Sequence, residues 1–134
     1  MTIIFQYKYD KNLLIEKNLS WGMLKYGLCS YFALAYANQN EEYNRFFAVM
    51  EYDEDLEKEY LVHILVVGKG VLIDSEGEWV DWRDAVGDIA DIQYMTLRTR
   101  EINKDSLIEL IKKDIGFNTS LYQLIEEFVS EAYA

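Results

Sequence analysis

The chain contains no proline, and glycine is sparse at 7 of 134 residues. Composition therefore marks no linker, and the length suits a single domain, residues 1–134, with one core. One cysteine excludes an intramolecular disulfide. It suits a reducing compartment, so a cytoplasmic location is expected. No run approaches 18 uncharged apolar residues, which argues against a transmembrane helix. The first 20 residues lack an apolar signal core with a small-residue cleavage site. Cations are also scarce, with 13 Lys and Arg against 24 Asp and Glu, for a formal charge of −11. The imbalance is local: residues 41–91 hold 15 acids and 4 bases, and the rest of the chain holds 9 of each. Direct binding to nucleic acid phosphates is therefore not expected. An acidic face of this kind keeps a protein soluble. It also fits docking on a basic partner surface, including one that normally holds nucleic acid.

Hydrophobic residues make up 51% of the chain and aromatics 15%, which is enough for a packed globule. Residues 3–7 suit a short strand. Residues 11–26 are mixed, with Trp21 and Gly22 interrupting any clean period. Residues 29–38 predict a helix, with Leu28, Tyr31, Phe32, Ala35 and Tyr36 in one apolar stripe. Gly27 before it frees the backbone for a sharp turn. Residues 45–51 and 60–67 predict strands, separated by an acidic loop from Asp53 to Glu59. Gly68-Lys69-Gly70 predicts a tight turn into a return strand over 71–74. Residues 81–90 suit a short helix and 91–98 a further strand. Two helices close the chain, with capping boxes expected at Ser106-x-x-Glu109 and Ser120-x-x-Gln123. Leu121, Leu124, Ile125, Phe128 and Val129 give the last helix an apolar face. A helix, then antiparallel strands, then helices makes the fold class α+β.

Three residues form a chemical constellation. If Gly68 and Lys69 are the loop, Val67 pairs with Gly70 and the ladder carries His63 opposite Asp74. Opposed residues share a face with Cβ atoms about 4.5–5.5 Å apart, so a carboxylate there can hold the tautomer of an imidazole. A three-residue loop would put His63 opposite Ser75, and the pair would then need a β-bulge. Cys29 stands at a predicted helix start, where unpaired N–H groups and the helix dipole favour a thiolate, the reactive form. Its own N–H could also face a developing oxyanion. Each residue has a plainer reading as well. A lone cysteine in an Ala-rich helix often only packs, a histidine in an apolar strand is often a satisfied core group, and Asp74 before Ser75-Glu76-Gly77 is an ordinary turn former.

The order Cys29-Ser30-Tyr31-Phe32-Ala33-Leu34-Ala35, then His63-Ile64-Leu65-Val66, then Leu72-Ile73-Asp74-Ser75-Glu76-Gly77 resembles the papain-like and transglutaminase-like superfamily. More closely, it resembles small cysteine-peptidase-like proteins of bacteria and their phages. The likeness covers roughly residues 20–80. It implies a papain-like core, with the helix of the nucleophile packed on an antiparallel sheet. Cys29 would be the nucleophile, His63 the general base and acid, and Asp74 the orienting residue. The implied activity is that of a thiol hydrolase or acyltransferase on a peptide or acyl-amide substrate, without metal or organic cofactor. The chain departs from papain-like enzymes in having no glutamine in the six residues before Cys29. Asn18 and Gln6 are the candidates for a second oxyanion donor.

Trp79 and Trp82 follow Asp74 closely and are candidates for lining a substrate cleft, although large aromatics at such positions commonly cap a core. Asp53-Glu54-Asp55-x-Glu57-x-Glu59 lacks the glycine and spacing of an EF-hand, so no metal site is expected. The competing function is a non-catalytic acidic binding protein on the same fold. Such a protein, for instance a phage-encoded inhibitor, would use Glu54, Asp55 and Glu57 to block a basic host surface.

Overall fold

In the computed structural model, residues 3–6, 11–20, 22–40, 42–87, 97–114 and 116–132 are described. The fold is α+β. Strand β1 (Ile3–Gln6) and helix α1 (Lys11–Glu16) lead through a π-helical turn (Met23–Gly27) into α2 (Cys29–Gln39). Strands β2 (Arg45–Asp53), β3 (Lys58–Val67), β4 (Leu72–Ile73) and β5 (Gly77–Trp79) follow, then α3 (Trp82–Val86). Strand β6 (Leu97–Asn103) and helices α4 (Lys104–Asp114) and α5 (Thr119–Ala132) complete it. One sheet, ordered β1-β5-β4-β3-β2-β6, joins the strands, and every neighbouring pair is antiparallel. Of the strand expected over 91–98, residues 91–96 lie outside the described residues, as does Trp21.

The central helix α2 is buried nearly all round. Cys29 through Ala35 and Ala37 are all buried, so its cover extends well beyond the single stripe expected from spacing. It is wrapped by the sheet on one side and by α4 and α5 on others. Phe46, Ala48, Met50, Ile64 and Val66 pack on it from β2 and β3, and Leu107, Ile111, Ile125 and Phe128 from the C-terminal helices. A second, smaller core of Val49, Leu65, Trp79, Ala85 and Val86 covers the opposite sheet face under α3. Two core layers on one sheet explain why β2 and β3 are apolar at successive as well as alternate positions.

Polar ties hold the C-terminal helices to α2. The Tyr31 hydroxyl donates to Gly116 O (3.1 Å) and accepts from Asn118 N (2.8 Å). Asn38 Nδ2 donates to the Tyr122 hydroxyl at 2.7 Å, which donates on to Glu126. The helix caps differ from the expected boxes. Asn103 Oδ1 accepts from Ser106 N (2.8 Å) and Asn118 Oδ1 from Leu121 N (3.0 Å). The caps are asparagines, and the two serines already sit inside the first turns. Asparagine caps as well as serine does, so either spelling starts a helix.

The β3–β4 connection is longer than a two-residue loop. Val67 pairs with Leu72 and Val66 with Ile73, leaving four residues, 68–71, in the loop. Gly68 N donates to Val71 O at 2.9 Å, and Gly70 takes φ +71°, a left-handed turn that glycine adopts freely. The β2–β3 ladder is also irregular: Val49 pairs with His63 but Met50 with Leu61, so Val62 is an extra residue, a β-bulge directly before His63. At the far end of this hairpin the strands reach Asp53 and Lys58, so the acidic loop is reduced to residues 54–57.

Candidate functional site

The four-residue loop moves the register by two positions. Carried one step past Ile73, it brings Asp74 level with Leu65, two residues from His63. The pair is therefore diagonal and not directly opposed, a separation that side chains as long as histidine still bridge. The bond is made: His63 Nε2 lies 2.9 Å from Asp74 Oδ2. Both groups are sealed from solvent, His63 at 0% and Asp74 at 1% exposure.

Asp74 is not a strand residue. It opens a tight turn, its N–H donating to Gly77 O at 3.0 Å. Its Oδ1 collects three donors: Glu76 N at 2.9 Å, Gly77 N at 3.2 Å and Trp79 Nε1 at 3.0 Å. The side chain is the turn former that Asp-Ser-Glu-Gly spells, and the same turn aims its second oxygen at His63. A buried carboxylate needs such partners, since an uncompensated charge there would be costly.

Cys29 opens α2 after Leu28, whose φ of −118° and ψ of 26° break the helical path between the π-turn and the helix. Gly27 ends the π-turn, and its φ is not among the positive ones. Cys29 is buried, at 4% exposure. His63 Nε2 is committed to Asp74, so Nδ1 is the ring atom left for sulfur. Nδ1 lacks a well-formed hydrogen bond, yet the thiol acts on the ring strongly enough to shift its proton affinity.

Burial, the largest single influence on His63, disfavours its charged form. The hydrogen bond to Asp74 and then the approach of Cys29 outweigh it, and the pKa is pushed up to about 9. The ring therefore holds its proton at neutral pH.

The other candidate residues lie as follows. Trp79 is in the core at 3% exposure, with its indole N–H spent on Asp74. Trp82 is half-buried beside Phe47, with the Arg83 guanidinium over its ring. With Val67, Leu72 and Val80 it borders a shallow groove of about 370 Å³. Glu54, Asp55 and Glu57 are exposed at the β2–β3 tip, which the Asp53 carboxylate closes by accepting from Asp55 N and Leu56 N. Asn18 takes φ +57° and ends α1, with Leu19 N bonded to Leu14 O. It is thus a left-handed helix stop. The Gln6 side chain lies outside the described residues. No cluster of three or more His, Cys, Asp or Glu suited to a metal occurs among the described residues. No described helix is long and apolar enough to cross a membrane.

The indole donor on Asp74 is marked by no motif in the sequence. Its signal is the spacing Asp74-x-x-x-x-Trp79, which spans one turn and one short strand. Compared with known protein families, curated proteins and solved structures, the chain matches none.

Proposed function

We propose that the protein is a thiol hydrolase or acyltransferase, with a papain-like core, that cleaves or transfers an amide, isopeptide or ester acyl group. The observation that carries this reading is the buried His63–Asp74 pair, bonded at 2.9 Å, with the buried Cys29 acting on the same ring. Cys29 attacks the substrate carbonyl as the thiolate, its proton resting on His63. As the tetrahedral adduct collapses, His63 returns that proton to the leaving amine or alcohol, and a thioester remains on Cys29. A water molecule, or an acceptor amine for transfer, then attacks the thioester and passes its proton to His63, which gives it to the departing sulfur. Asp74 stays ionised and fixes the ring, as in other triads. The Cys29 N–H at the helix start is the proposed first oxyanion donor. Trp79 suits a positioning role through Asp74, and Trp82 remains a candidate for substrate contact. The proposed setting is cytoplasmic, with a peptide or acyl-amide substrate.

The test is alkylation by iodoacetamide in native buffer, followed by intact mass. The expected result is one adduct, on Cys29, formed at least tenfold more slowly in His63→Gln. Modification that occurs only in denaturant, or at the same rate in the variant, refutes the proposal.

A second reading, as an acidic binding protein blocking a basic host surface, is favoured by the β2–β3 tip. There Leu56 is 64% exposed among Glu54, Asp55 and Glu57, an apolar contact ringed by carboxylates. Under that reading Cys29→Ala leaves biological activity intact, and charge reversal at the three acids abolishes it.

A further inference from the structure

Strand β6 ends the sheet, and among the described residues its outer side has no strand neighbour. An open edge is a template for another extended segment. The side chains on this edge narrow the choice of partner. Arg98, Arg100 and Ile102 alternate onto one face, paired across β2 with Met50, Ala48 and Phe46. Those three β2 residues belong to the core under the helices, so Arg98 and Arg100 line the helix side of the edge.

Both arginines are already partly engaged, by half-buried groups at the rim of the sheet. The Arg98 guanidinium lies 4.3 Å over the Tyr52 ring, and Arg100 Nη1 lies 3.2 Å from Glu59. Solvent-accessible pairs of this kind contribute little and exchange readily. Beside Arg100 a cavity of about 530 Å³ opens between the β2–β3 hairpin and α4, bordered by Tyr60, Leu110 and Lys113. A smaller one of about 300 Å³ continues from the same Arg100, Leu110 and Lys113 towards Ile102 and Ser106. Lys113 has no ion-pair partner among the described residues. Glu57, Glu59 and Lys58 also line the larger cavity and Glu109 the smaller one, yet in a chain of net charge −11 three cations, Arg98, Arg100 and Lys113, stand on or beside this open strand.

A second copy of the chain does not fit the edge. Two β6 strands joined about a two-fold axis normal to the sheet oppose like charges in each central register. Centring on Arg100 sets it against itself, centring on Thr99 sets Arg98 against Arg100, and centring on Glu101 sets it against itself. Like charges directly opposed destabilise a strand pair.

We propose that β6 receives an extended segment of another protein as an added antiparallel strand, and that the segment carries glutamates at two alternating positions. In that register an apolar residue lies against Ile102, one glutamate against Arg100 and the next against Arg98. The first glutamate reaches the cavity shared with Lys113, which favours the longer acid over aspartate. Backbone hydrogen bonds supply adhesion, and the alternating carboxylates supply selectivity. The overall negative charge opposes approach, but at 0.15 M salt the screening length is about 8 Å, so contact pairs outweigh distant charges. The proposal is independent of the Cys29 site.

The experiment is calorimetric titration at 0.15 M salt with the blocked peptide Ile-Thr-Glu-Thr-Glu-Thr and its counterpart with both glutamates replaced by glutamine. The glutamate peptide is expected to bind at least tenfold more tightly, and to slow amide hydrogen exchange in residues 97–103. The Arg98→Gln/Arg100→Gln variant should lose the preference. A Lys69→Gln/Arg83→Gln control, with the same change in net charge, should keep it. Equal affinity for the two peptides, no binding of the glutamate peptide up to millimolar concentration, or protection confined to other strands overturns the proposal. In that event the edge charges serve only to keep other strands away.

Discussion

Trp79 Nε1 donates to Asp74 Oδ1 at 3.0 Å, while the other carboxylate oxygen of Asp74 holds His63 at 2.9 Å. The two bonds give each carboxylate oxygen its own partner. The oxygen bonded to the indole and to two backbone N–H groups fixes the turn, and the oxygen facing His63 orients the ring. A short turn and the three-residue strand β5 thereby govern a side chain on β3, two strands away.

Trp79→Phe keeps an aromatic side chain, smaller than the indole, and removes the donor, so any packing loss adds to that of the hydrogen bond. A hydrogen bond to a charged group contributes about 1.5–3 kcal/mol, so urea unfolding should show a loss in that range or above it. A loss under about 0.5 kcal/mol would mean that the two backbone donors suffice.

The single histidine makes its titration readable by NMR without assignment. In the native protein the His63 ring should titrate near pH 9. In Asp74→Asn the midpoint should fall by at least one unit, because burial then works against the charged ring with only Cys29 to oppose it. An unchanged midpoint would remove Asp74 from its proposed role.

The same shift sets a pH dependence of stability. His63 is raised from its ordinary value of 6.5 to about 9, so between these values the folded protein holds a proton that the unfolded chain has lost. The resulting stabilisation is complete below pH 6.5 and is lost as pH rises through about 9, at no more than about 1.4 kcal/mol per pH unit. Chemical unfolding across pH 6–10 should show that decline, and His63→Gln should flatten it.

Asn103→Ala should cost about 1 kcal/mol by removing the α4 cap, and Ser106→Ala markedly less. Thermal unfolding of the two variants decides which residue starts the helix. Equal losses would restore the serine as the cap.

On α5, Phe128→Ala should cost about 3–5 kcal/mol, since its side chain is fully buried against α2. Leu124→Ala, at a position 37% exposed, should cost well under half as much in the same denaturant series.

The elements carrying strong local patterns were legible from spacing and composition. Helix α2, strands β2 and β3 and the closing helices stand within a few residues of their expected spans. The closeness of His63 and Asp74 was also legible, although by a different route. A loop four residues long and not two displaced the ladder by an even step, which preserved the alternation and left a diagonal pair. Gly68-Lys69-Gly70 did not reveal this, because the Gly68–Val71 closure depends on a carbonyl three residues away. The asparagine caps were missed because Ser106 and Ser120 matched a familiar pattern a few residues too late. The burial of Ser30 and Leu34 was hidden, since periodicity reports one apolar stripe while tertiary packing covers α2 from several sides. Of the last helix's expected face, Ile125, Phe128 and Val129 are buried, but Tyr122 replaces the exposed Leu124.

The cover of α2 comes from the chain's far end. Tyr31 finds both of its hydroxyl partners at Gly116 and Asn118, more than eighty residues downstream, and Phe128 closes the same core. During synthesis this helix therefore waits, greasy on several sides, until α5 has emerged. Any fragment stopping before α5 should be sticky and short-lived, because it leaves the apolar surface of α2 uncovered.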